Sequence, residues 1–139
     1  MNIKVHEVMV NNVITCQPHH TADHVRGIME RNSIRALPVV GPGEELLGIV
    51  SVTDLGAKVK ADKPVSQVMS PEVLTVPAYD DVHVAARVMR NHRIHHVVVT
   101  HEQKVVGILG TFDLLRLVED HRFVMKNAPT PSRNSRKRV

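Results

Sequence analysis

The chain has 139 residues, 42% hydrophobic and 23% charged, a balance that suits a folded unit and excludes disorder along its whole length. One Tyr, two Phe and no Trp leave almost no rings for unpaired bases to stack on, which argues against single-strand nucleic-acid binding. The formal charge of +4 belongs to the C-terminus: residues 126–139 carry five basic and no acidic residues, leaving 13 basic against 14 acidic in 1–125.

In chain order, residues 13–16 form a short β-prone segment that Pro18 stops. Thr21 is the expected N-cap of a helix over 22–32, whose apolar residues recur at three- and four-residue steps. Residues 36–40 are too apolar and β-branched for a surface strand. A polar turn at 41–45 leads into a further strand over 46–52, and Asp54 opens a helix over 54–60. Residues 61–66, with Asp62-Lys63-Pro64, read as a linker. The same order then returns: strand 73–76, N-cap Asp81, helix 82–91, strand 97–100, turn 101–104, strand 105–109 and a helix over 113–120. Residues 130–139 hold Pro, Ser, Asn and basic residues without periodicity and read as part of a flexible tail.

That return is a duplication. Val8-Met9 and Val68-Met69 lie 60 residues apart, as do Val13-Ile14-Thr15 and Val73-Leu74-Thr75. Ala22, Val25, Ile28 and Met29 match Val82, Ala85, Val88 and Met89 at the same spacing. After one deletion, Gly48-Ile49 matches Gly107-Ile108 and Asp54-Leu55 matches Asp113-Leu114. The chain therefore divides into repeat 1 with its linker (1–66), repeat 2 (67–125) and a basic tail (126–139), and its fold class is α/β in the α+β sense.

The stretch from Gly48 to Leu55 carries the chemistry. Gly48 permits close approach by a backbone or a ligand. Ser51 and Thr53 put hydroxyls where a strand gives way to a helix start, whose free amides favour an anion such as phosphate. Asp54 offers a carboxylate suited to two adjacent ribose hydroxyls. The plainer reading of Ser-x-x-Asp is a helix cap, and both stand at this level.

These motifs in this order resemble two cystathionine-β-synthase-type (CBS) repeats forming a Bateman module. The resemblance rests on Val8-Met9, 13–15, 34–39 and 48–55, and on 68–70, 73–76, 94–99 and 107–114, and covers residues 5–120. It implies two β-α-β-β-α repeats packed with pseudo-two-fold symmetry around two composite clefts, and a regulatory ligand: AMP, ADP, ATP or S-adenosylmethionine. It further implies that Asp54 holds ribose while Ser51 or Thr53 meets phosphate, opposite Thr75, Val76, His95, His96 and Val97. A second cleft would join Thr111 and Asp113 to Thr15, Cys16, Ala36, Leu37 and Pro38. There Gly110 replaces Ser51 and Phe112 replaces Thr53, which puts that cleft's occupancy in doubt. Arg35, His95 and His96 are the expected cations near phosphate. The resemblance implies a homodimer, and with no effector domain in the chain the output must pass to another protein.

Other readings stand beside this one. Ten histidines, including His20 and His24 at i,i+4, invite a metal site, yet no Cys-x-x-Cys or His-Glu-x-x-His pattern exists. The basic tail offers sequence-independent attraction to nucleic acid or an acidic partner. No motif for a nucleophile elbow, phosphate loop or dinucleotide turn is present, so no enzyme activity is expected. No apolar run reaches membrane-span length, 1–10 lacks a signal-peptide layout, and the single Cys16 forms no internal disulfide, so the expected setting is the cytoplasm.

Overall fold

The Thr21 hydroxyl accepts the backbone N–H of His24 at 3.2 Å, which fixes the start of α1 (Ala22–Asn32) where the sequence puts it. In the computed structural model, which describes residues 2–122 and 124, α1 is followed by β1 (Ala36–Val40) and β2 (Leu46–Ser51). Then come β3 (Thr75–Pro77), α2 (Val82–His92), β4 (His96–His101), β5 (Lys104–Gly110) and α3 (Thr111–Glu119). The fold is mixed α+β. The tail expected at 126–139 lies outside the described residues.

Both helices stop in the same way. Ser33 and Arg93 each adopt φ 53 in the left-handed region, and the following Ile34 and Ile94 donate to the carbonyls of Met29 and Met89 at 3.0 Å. This Schellman-like closure costs a side-chain-bearing residue about 1 kcal/mol of backbone strain. In each repeat an antiparallel strand pair follows, β1 with β2 and β4 with β5, and each has an irregularity at the same place, Val39/Val40 and Val99/Thr100. β3 adds in parallel to β4. Its counterpart expected at 13–16 is reduced to a parallel bridge from Cys16 to Val39.

The repeats exchange their leading segments. A short 3₁₀ turn at Val5–Glu7 packs on the second repeat: Val5 N–H donates to Asp80 O and His6 N–H to Ala78 O, both at 2.9 Å. Val5 is a full member of the core of Val76, Ala85, Met89, Val97, Val99 and Leu109, with Val8 and Met9 against it. The matching turn, Val65–Gln67, packs on the first repeat through Val65 N–H to His20 O at 2.7 Å. Val65 then joins the core of Val25, Met29, Leu37, Val39 and Val50, flanked by Val68 and Met69. Where the segments cross, Val10 bridges Ile108 and Ser70 bridges Ile49, both antiparallel.

Two glycines permit those crossings. A Cβ on Gly48 would lie 2.6 Å from Met69 Sδ and 2.8 Å from the Ser70 carbonyl oxygen, and one on Gly107 would overlap Met9. Repacking a tight core around an added methyl costs about 1–3 kcal/mol.

Two expectations are corrected. Residues 54–60 form turns and no helix. Arg26 donates to the carbonyls of Leu55 (3.2 and 3.1 Å), Gly56 (3.2 Å) and Val59 (2.9 Å), so a tertiary partner takes acceptors that a helix would satisfy internally. Gly56 weakens the helix further. Asp81 precedes α2 but makes no side-chain cap. Its carboxylate instead takes the Lys4 ammonium at 2.6 Å, because the segment exchange brings Lys4 beside it, and that hydrogen bond holds its pKa below the usual value.

Gly48→Ala is expected to destabilise the protein by about 1–3 kcal/mol without changing its secondary structure, read by urea unfolding followed by circular dichroism. Unaltered stability would mean that the crossing at Met69 and Ser70 has room to spare.

Candidate functional site

The crossing at Ile49 and Ser70 sets the strand that ends at Ser51 beside the stretch entering β3. Between them opens a cleft of about 530 Å³. The first repeat contributes Arg35, Ala36, Ile49 and the run from Ser51 to Asp54. The second contributes Ser70, the run from Glu72 to Leu74, and the run from Arg93 to His96. Each wall belongs to a different repeat.

At the floor, Asp54 Oδ2 accepts the backbone N–H of Ser51 at 2.9 Å and the Ser51 hydroxyl at 3.1 Å, and Asp54 N–H donates to Ser51 Oγ at 3.3 Å. The capping geometry is thus present, although no helix follows. It leaves binding capacity. A carboxylate offers about four lone-pair directions; Ser51 uses two, and Oδ1 takes no protein donor among the described residues. Ser51 thereby holds one oxygen of Asp54, a residue of the cleft lining, and leaves the other for a guest.

The opposite wall is apolar at Val73 and Leu74, the latter 37% exposed despite its size. The lining also holds Arg35, Arg93, His95 and His96 against Asp54 and Glu72, a preponderance of cationic and protonatable groups. A cleft that gathers an apolar wall, a carboxylate and cations has partners for a flat heterocycle, a diol and an anion.

Seven of the expected site residues line this cleft: Ser51, Thr53, Asp54, His95 and His96, with Arg35 and Ala36. Thr75, Val76 and Val97 do not. Val76 and Val97 are buried in the second core, and the wall falls at residues 72–74 instead. Cys16 and Leu37 are likewise buried in the first core and Pro38 is fully buried, while Thr15 is exposed. Thr111 and Asp113 sit at the start of α3, where Asp113 Oδ2 accepts Gly110 N–H at 2.8 Å. Burial pushes the Cys16 thiol up to about 12, so it is an inert core group.

Arg93 and Glu72 escaped the sequence reading. Arg93 is aimed by the helix stop that it shares with Ser33, and its position directly after a helix carrying the repeat's polar pair was the available signal. Among the histidines, His20 packs tilted against both His19 and His24, with ring centroids 4.6 Å apart in each pair, but His20 Nδ1 is engaged by Gln17 N–H at 3.0 Å. No group of three or more metal-ligating side chains is gathered among the described residues.

Burial holds His96 below its ordinary value of 6.5, with His95 and Arg35 lowering it further and Asp113 opposing them. His20 is lowered too, by burial and then by His24 and His19. A base that is harder to protonate when folded binds its proton preferentially in the unfolded state, so stability falls as pH drops through about 6.5. The midpoint of thermal unfolding should therefore decline from about pH 7.5 to about pH 5.5, and His96→Gln should flatten part of that decline. A slope unchanged by the substitution would show that His96 contributes nothing to it.

Residues 5–58 and 65–120 each match the CBS domain family. The CBS domain pair of protein MJ0100, solved in complex with 5′-methylthioadenosine and S-adenosyl-L-methionine, superposes with a TM-score of 0.81 at 25% identity, covering 86% of this chain and 98% of that one. The CBS domain protein PAE2072 from Pyrobaculum aerophilum, complexed with AMP, gives 0.76 at 26%, covering 84% and 97%. Among curated relatives, the homoserine O-acetyltransferase of Methanosalsum zhilinae is 28% identical over 123 residues, 87% of this chain but 25% of that protein. The chain spans roughly a quarter to two fifths of the first curated relatives it matches, so in relatives named as enzymes the shared part is a fraction of a larger protein. Membership is shown by two matches in the order that the duplication requires: the chain belongs to the CBS domain family and carries a tandem pair of its repeats.

Proposed function

We propose that this protein is a non-catalytic regulatory module that binds an adenosyl ligand (AMP, ADP, ATP, S-adenosylmethionine or a close relative) in the Asp54 cleft. The observation that carries the reading is the cleft itself, with an orienting Ser51–Asp54 pair on one repeat and an apolar wall and cations on the other. The solved relatives in complex with AMP, 5′-methylthioadenosine and S-adenosyl-L-methionine support the ligand class.

Asp54 accepts the two ribose hydroxyls on its remaining lone pairs. Adenine lies against Val73 and Leu74, and phosphate, where the ligand has one, meets Arg93, Arg35 and the histidines. A guest that touches both walls favours the arrangement in which its two half-sites fit, and so couples occupancy to the packing of one repeat on the other. The output passes to an effector protein through a surface whose shape follows that packing. Pairing with a second copy is supported by the apolar face of α3, where Phe112 is 83% exposed and Leu115 and Val118 more than half. A cytoplasmic setting fits a lone, unreactive thiol and a ligand of this class.

Removing the carboxylate should cost the hydrogen bonds that a charged acceptor makes to a diol, about 1.5–3 kcal/mol, or a fall in affinity of roughly 10- to 100-fold. Asp54→Ala is expected to show that loss for AMP and for 5′-methylthioadenosine in calorimetric titrations, with its fold intact by circular dichroism. Equal affinity in the variant and the parent would remove Asp54 from the site.

A further inference from the structure

The two repeats differ at one register position in a way that alters how many guests the protein can hold. On the first repeat, β1 and β2 pair Ala36 with Ser51; on the second, β4 and β5 pair His96 with Gly110 at the corresponding place. The bulk has changed strands. In the first repeat the small methyl of Ala36 leaves room for the Ser51 hydroxyl, which donates to Asp54 at 3.1 Å. In the second the imidazole takes that room. A Cβ added to Gly110 would lie 3.2 Å from His96 Cδ2 and 3.4 Å from Nε2, tighter than ordinary contact, and 3.5 Å from Asp113 Oδ2. The ring of His96 therefore stands where a side chain would orient Asp113, and that carboxylate keeps the Gly110 amide as its capping donor.

The other groups that would complete a second half-site are changed as well. Phe112, at the position of Thr53, is 83% exposed. Ser33 stands where Arg93 stands, in the same left-handed conformation at the end of a helix, and brings no charge. Asn12 occupies the place of Glu72. On the Asp113 side the Ser51 hydroxyl, the Thr53 hydroxyl and the Arg93 charge thus have no counterparts.

We infer that each chain binds a single adenosyl ligand, in the Asp54 cleft, because His96 occupies the equivalent space beside Gly110. This rests on the ligand class proposed above. His96 then serves two purposes at once: it lines the Asp54 cleft, and the ring's bulk denies the second. A molecule that began as two equal halves has become a sensor with one graded response per chain.

Calorimetric titration of the full chain with AMP, and separately with 5′-methylthioadenosine, should give one site per chain. Asp54→Asn, which preserves an acceptor for the Ser51 amide, should lower that affinity at least 10-fold and leave no second class of site. Two sites in the parent, or one undiminished site in Asp54→Asn, would overturn the inference while leaving adenosyl binding in place; no binding of either compound would overturn the ligand class and the inference with it. The double variant His96→Ala with Gly110→Ser, which copies the first repeat's pair, should raise the count from one to two for 5′-methylthioadenosine, which carries no phosphate for His96 to meet. A count that stays at one would show that the imidazole is not what closes the second position.

Discussion

Everything that this structure can hold depends on two methionines lying across two glycines. Met69 crosses Gly48 and Met9 crosses Gly107, and those contacts pin each leading segment into the core of the opposite repeat. Val5 and Val65 are completely buried there. A buried valine contributes roughly 1.5–3 kcal/mol relative to an exposed one, so neither core is complete without a segment delivered from across the boundary. The same crossing brings residues 70–74 alongside Ser51 and Asp54. The composite cleft is thus a by-product of how the cores are closed.

Against this shared frame, the differences between the halves acquire meaning. The duplication leaves two copies of the helix stop and of the strand irregularity, and the stops at Ser33 and Arg93 show how faithfully that geometry persists. Divergence includes side chains that line the cleft and the chain following the last strand. In repeat 2 that chain is rich in helix formers and makes α3; in repeat 1 it is held as turns by Arg26. The helix stops and strand pairs are conserved between the halves while the chemistry on them is not, which is how one architecture supports two unlike surfaces.

The sequence disclosed what is local. The bounds of α1 and β1 were legible to the residue because Thr21 caps, the apolar stripe has helical period, and Ala36–Val40 is continuously apolar. The duplication was legible because its matches were ordered. Residues 54–60 misled because their fate was decided by Arg26, some 30 positions earlier, whose guanidinium no local pattern announces. The cleft wall was displaced from Thr75 and Val76 to Val73 and Leu74 for a related reason. Alternation identifies a strand, but which of its residues meets the other repeat depends on where the strands cross. The exchange of leading segments was invisible, since Val5 and Val65 satisfy either core equally well on paper. His96 was recognised as a cation and missed as a volume, because its neighbour Gly110 becomes informative only once the strands are in register.

The exchanged segments also bear on ancestry. A solitary unit of this design could not seal itself: its opening residues would be directed at a core that was not its own. It would have needed a twin, each lending its first turn to the other, so that association preceded gene fusion and the linker at 61–66 merely tethered partners already committed to one another.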